Sequence, residues 1–164
     1  MTLLLILIYV AFISLGLPDA LLGAAWPAVS ASLGVPIANA GIITVITSGG
    51  TLISSLLSNR LLHRFGTARV EIVSVATTAI MLLMCSFATE FWMLCLFALP
   101  LGMGAGSVDS GLNQFVARHY RASHLNWLHC FWGVGATLGP MMISYFLGTE
   151  GSWHAGYRAV SVVQ

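Results

Sequence analysis

Two aspartates, Asp19 and Asp109, interrupt runs of sequence that are otherwise apolar. The second lies in GAGSVDSGLNQF, residues 104–115, with an asparagine four positions on. An ionised carboxylate at the centre of a membrane helix costs roughly 2.5–3.5 kcal/mol on insertion scales, so each acid needs protein or cavity water around it. Gly102, Gly106, Asp109 and Asn113, at spacings of 4, 3 and 4, share one helical stripe. Glycines on such a stripe let a second helix approach closely and keep the acid from facing lipid. Gly16, Asp19 and Gly23 repeat the arrangement at spacings of 3 and 4. Pro18 removes a backbone donor beside Asp19, and the local break can widen into a polar site. A carboxyl withdrawn from bulk water can load and release a proton, which is the chemistry of proton-coupled transport. Asp109 and Asp19 are therefore the candidate proton-coupling residues. Asn113 and Gln114 offer amide donors and acceptors to a polar solute, Asn113 from the Asp109 face.

The elements that must position these residues follow from composition. The chain has 164 residues, 58% of them apolar and 7% charged, where soluble domains carry about 25% charged residues. Its mean hydropathy is +0.92, and the class is an all-α integral membrane protein. A net charge of +1 with no lysine leaves no basic field for nucleic acid. Cys85, Cys95 and Cys130 lack CxxC spacing and read as small core or lipid-facing side chains. No histidine pairs with an acid at a ligand spacing, so neither metal nor cofactor is expected. The apolar start ends near small residues, like a signal peptide, but the first basic residue is Arg60, so cleavage is not expected.

A membrane helix needs about 20 apolar residues. Five spans meet that requirement: Leu3 to Val29, Ala40 to Leu62, Glu71 to Ala88, Phe91 to Ala117 and Leu125 to Gly148. A sixth begins near Trp153, and residues 1–164 read as a single transmembrane domain. Arg60, Arg64 and Arg69 flank the second loop and Arg118 and Arg121 the fourth, with Arg158 as the exception. Positive charge is retained on the cytoplasmic side, which predicts a cytoplasmic N-terminus and a multi-pass protein of the plasma (inner) membrane.

Laying residue i over residue i+90 puts Asp19 on Asp109, Leu22 on Leu112, Gly49 on Gly139, Ile53 on Ile143 and Ser54 on Ser144. Three helices per copy is an odd number, so the copies cross the membrane in opposite senses as inverted repeats. Repeat one covers about 3–88 and repeat two about 91–164. The overlay puts Gln164 on Ser74, early in a third helix, so the sequence is expected to be truncated within its last helix.

GLPDALLGAAWP in the first helix, NRLLHRFGTARV after the second, GSVDSGLNQF in the fourth and NWLHCFWGVGATLGP in the fifth resemble the N-terminal half of a major facilitator superfamily transporter. The branch they resemble most is that of the fucose, galactose and glucose proton symporters. The resemblance implies a six-helix half-bundle, here five complete helices and the start of a sixth, that works with a missing C-terminal half by alternating access. It implies a sugar-like small solute and protons as partners within the lipid bilayer. Asp19, Asp109 and Asn113 match positions that the branch uses for coupling and recognition.

The loop signature of that superfamily is met at Arg64 and Gly66, but His63 stands at its aspartate and Asn59 at its first glycine. Gly135, Gly139 and Pro140 resemble an antiporter motif whose following glycine pair is absent, and close packing with a bend explains them without antiport. Trp132 shares a stripe with Gly135 and Gly139, so it either lines the pathway and stacks on a sugar ring or packs in an aromatic belt. His129 is expected to bond a backbone carbonyl, with a substrate or proton-relay role as the other reading. No catalytic residue is assigned. An intramembrane aspartyl protease would also need two buried acids, but Pro18 and Val108 precede these and do not match the pattern such enzymes resemble. A receptor or assembly subunit on the same scaffold stays open as an alternative.

Overall fold

The computed structural model describes residues 2–164. Their elements are α1 (Thr2–Asp19), α2 (Leu21–Leu33), a 3-10 turn (Ile37–Asn39), α3 (Ala40–Phe65), α4 (Thr67–Cys85), α5 (Phe91–His119), α6 (Ala122–Thr149) and α7 (Trp153–Val163). Among the described residues there is no strand. Five segments are long and apolar enough to cross a membrane, with α1 and α2 together forming the first. This is the all-α architecture expected of a half-bundle, with α7 as the start of the sixth helix.

The first span is not one helix. It breaks at Ala20, directly after Asp19. Pro18 has no N–H for the carbonyl of Ser14, one turn earlier, and the Gln164 side-chain amide donates to that carbonyl instead, at 3.4 Å. The later helices run past the apolar stretches, α3 to Phe65 and α5 to His119. Apolarity marks the part that lipid covers, whereas the backbone stays helical while its hydrogen bonds are met internally and long basic side chains reach back to water. Gly66 ends α3 with φ +80° and ψ 152°, a conformation that a Cβ disfavours, and its N–H bonds the Leu62 carbonyl at 3.0 Å. Gly66→Ala is expected to lower stability by about 1–3 kcal/mol. Thermal unfolding in lipid micelles checks this against Gly41→Ala, where φ is ordinary and the added Cβ would meet nothing within 4 Å, so that stability should be unchanged.

The two most extensive interfaces join α1 to α6 and α3 to α5. Both pairs run parallel, since Ile13 meets Gly135 and Leu17 meets Gly139, while Thr47 meets Gly102 and Thr51 meets Gly106. Exchanging the first three spans for the second three turns one pairing into the other, as inverted repeats require. The residue overlay itself fails in the second and fifth spans. Ile53 is exposed where Ile143 is buried, and Ser54 is buried where Ser144 is exposed. The repeat survives in topology while the helix faces have drifted in register.

Two apolar cores fill the bundle. One gathers Leu21, Trp26, Leu82, Ile143 and Trp153, and the other Phe12, Val108, Val116 and Leu128. At the end away from most arginines, Trp26 Nε1 donates to the Ile37 carbonyl at 2.7 Å, and Trp153 Nε1 donates to Ser32 Oγ at 2.8 Å. Leu56, Val45 and Ile72 lie open on the outside, an apolar surface that suits lipid.

Candidate functional site

The cleft exists because glycines bring four helices into backbone contact. A Cβ at Gly135 would overlap the Ile13 carbonyl oxygen and one at Gly139 the Leu17 carbonyl oxygen, while Gly16 sits against the Trp132 carbonyl. Gly102 sits against the Thr47 carbonyl, and a Cβ at Gly106 would come within 2.6 Å of the Thr51 carbonyl oxygen. These contacts fix α1 on α6 and α3 on α5 with little room for adjustment. Gly23 departs from the expected stripe. A Cβ there would meet nothing within 4 Å, because the break at Ala20 rotates α2 relative to α1.

Between the locked pairs lies a cavity of about 370 Å³, within the usual range of a small-molecule site. Asp19 and Trp132 stand in its wall with Thr47, Thr51 and Tyr157. Trp132 Nε1 donates to Asp19 Oδ2 at 2.7 Å. Thr51 Oγ1 donates to the Thr47 carbonyl at 3.1 Å and to the Gly102 carbonyl at 3.2 Å, so it also ties α3 to α5. The wall thus presents an acid, an indole and hydroxyls amid aliphatic side chains, which suits a solute with both polar and apolar faces.

Asp109 lies beside this cavity and is not part of its wall. It is half-buried, and Asn113 Nδ2 donates to its Oδ1 at 2.9 Å. Asp109 is within electrostatic range of both Asp19 and His129, so the structure gathers these side chains from α1, α5 and α6. Asn113 is occupied by Asp109. Gln114, half-buried, makes no hydrogen bond among the described residues. Among the described residues His129 bonds no backbone carbonyl, contrary to the expectation. It is exposed and stands edge-on to Phe12 at 6.2 Å, while His119 and His154 bond the carbonyls of Phe115 and Ser86 at 2.8 and 2.9 Å. Pro140 lies within an unbroken α6. Arg64 is exposed with its guanidinium 5.4 Å from the Phe65 ring centre, beside the turn at Gly66.

One acid in this region escaped the sequence reading. Glu71 is within electrostatic range of Asp109 and is packed against Gly111. It is the first residue of the third predicted span, at the edge of an apolar run, where a charge normally marks a helix end. The extension of α4 back to Thr67 is what carries it into the bundle.

The sequence model of the Major Facilitator Superfamily matches residues 8–163. The chain is 24% identical over 141 residues to Bypass of stop codon protein 6 of Saccharomyces cerevisiae, covering 84% of this chain and 28% of that protein. It is 24% identical over 132 residues to "Putative transporter svop-1" of Caenorhabditis elegans, covering 79% of this chain and 25% of that one. It is 26% identical over 108 residues to Synaptic vesicle glycoprotein 2A of Rattus norvegicus, covering 63% of this chain and 15% of that one. The chain therefore spans between 15% and 28% of the length of these relatives.

Proposed function

Because this chain belongs to the major facilitator superfamily, we propose that it is the N-terminal half of a proton-coupled secondary transporter for a small polar solute, with sugars as the class to test first. The observation that carries this reading is the pairing of Asp19 with Trp132 in the cavity wall, with Asp109 in electrostatic range behind it. Carboxyls that hold a proton in one state and lose it in another give protons a differential affinity for two conformations, and only such a difference can bias an equilibrium. The solute binds where this bundle faces a C-terminal half of the same chain, and rocking of one half on the other exposes the site to each side in turn. The arginines at the ends of α3, α5 and the following loops support a cytoplasmic N-terminus. The residues that resemble the fucose, galactose and glucose symporters support a hexose-like solute, since an indole face suits the apolar side of a pyranose and a carboxylate accepts from its hydroxyls.

Binding of a panel of hexoses to the complete protein, followed by tryptophan fluorescence, tests this reading. Trp132→Phe removes the donor to Asp19 and is expected to weaken binding by about 1.5–3 kcal/mol, the range for a hydrogen bond to a charged group. An absence of hexose binding by the unmodified protein, with full activity in a receptor or assembly assay, would favour the non-transporting alternative.

A further inference from the structure

Glu71 lies one turn inside α4. Neither of its carboxyl oxygens is open to solvent, and neither accepts a hydrogen bond from any described residue. Its seat is made by an absence, since a Cβ at Gly111 of α5 would overlap Glu71 Oε1. Leu62 of α3 reaches the same place, its Cδ2 3.5 Å from where that Cβ would stand. A charge sealed among apolar groups without a donor is costly, whereas a neutral carboxylic acid fits there at the cost of one lost hydrogen bond.

We propose that Glu71 is a third proton-carrying carboxyl, which holds its proton in the seat between α4 and α5 in this conformation and gives it up when those helices part. The proposal rests on the proton-coupled reading above. The helices packed on α4 offer Glu71 few charged neighbours. From α5 it is Asp109 that acts on it electrostatically. On α3, Arg60, His63 and Arg64 are exposed at the helix end, as is Arg69 on α4 itself, and Arg158 is exposed on α7. Asp109 acts electrostatically on Asp19 as well as on Glu71. The proton that leaves Glu71 breaks its carboxyl O–H bond and forms an O–H bond on the water that receives it, and the negative charge stays on the carboxylate. Release to water then needs only that the seat open toward the end of the bundle where Gly66 and the arginines lie.

Infrared spectroscopy of the complete protein in lipid bilayers tests this at neutral pH. The protonated-carboxyl carbonyl band of the unmodified protein should lose the Glu71 contribution in Glu71→Gln and keep it in Asp109→Asn. With one proton per solute, a gradient of one pH unit supports about tenfold accumulation; Glu71→Gln should lose this accumulation and retain downhill exchange. Gly111→Ala crowds Oε1 and leaves the carboxyl present, so it keeps the measurement decisive if Glu71→Gln fails to assemble. The band should then shift. A band unchanged in both variants would overturn the protonated state, and normal accumulation in Glu71→Gln would overturn the carrying role. The wider coupling reading is judged separately, by uptake in Asp109→Asn.

Discussion

Asp109→Asn is expected to abolish accumulation of the solute against its gradient while leaving exchange down the gradient partly intact. Asparagine keeps the shape of the side chain and can still meet Asn113, whose Nδ2 lies 2.9 Å from Asp109 Oδ1, so the local packing of α5 survives. What it cannot do is exchange a proton. With a gradient of one pH unit and one proton per solute, the lost driving force is about tenfold in accumulation. Uptake into vesicles with an imposed pH gradient gives the first quantity, and counterflow of labelled solute the second. Accumulation equal to that of the unmodified protein would reject Asp109 as a coupling residue.

The second large effect is structural. Gly102→Val places a side chain on the Thr47 carbonyl oxygen, and because the obstacle is backbone it cannot move aside as a side chain would. Overpacking of this kind costs about 1–3 kcal/mol in well-packed cores, and here it also pushes apart one of the two main helix pairs. The expected result is a lower unfolding temperature and loss of transport together. Gly49→Ala and Gly133→Ala are the controls, because a Cβ at either position would meet nothing within 4 Å. They should be neutral or stabilising by up to about 1 kcal/mol, the difference in helix propensity. Equal unfolding temperatures for Gly102→Val and the controls would show that the glycine contacts do not hold α3 on α5.

Much of this architecture was legible in the sequence because a bilayer imposes a length and a hydropathy on each span. The start at Ala40, the start at Phe91 and the turn into Trp153 were readable for that reason. The break after Asp19 was foreshadowed by Pro18, a local feature with a local cause. What the sequence left hidden depends on how helices rotate against one another. Gly23 shares a spacing with Gly16 and Asp19, yet the break turns it toward open space. Gly49 and Gly139 coincide in the overlay, but Gly139 is pressed on Leu17 while a Cβ at Gly49 would meet nothing within 4 Å. His129 was expected to seek a carbonyl and instead stands beside Phe12 in electrostatic range of Asp109. Glu71 was hidden for another reason. Charge at the edge of an apolar run normally marks a helix end, and only its seat against Gly111 distinguishes it from such a residue.

The pairing of Trp132 with Asp19 gives the cavity a specific chemistry, because the indole N–H occupies one carboxylate oxygen and leaves the other free for a solute hydroxyl. Asp109 is held by Asn113 and acts electrostatically on Asp19, so in the proposed mechanism its charge is felt in the cavity wall without its touching the solute. In that mechanism both acids carry protons, and Asp19 alone also meets the solute.

The most direct test of this account is the accumulation of labelled fucose, galactose or glucose by the complete protein in liposomes with an inward proton gradient, with and without a protonophore. The account predicts concentrative uptake of at least one of these sugars that disappears when the gradient is collapsed. Uptake that proceeds to the same level after the gradient is gone, or no movement of any of them by a protein shown to be folded, would contradict it.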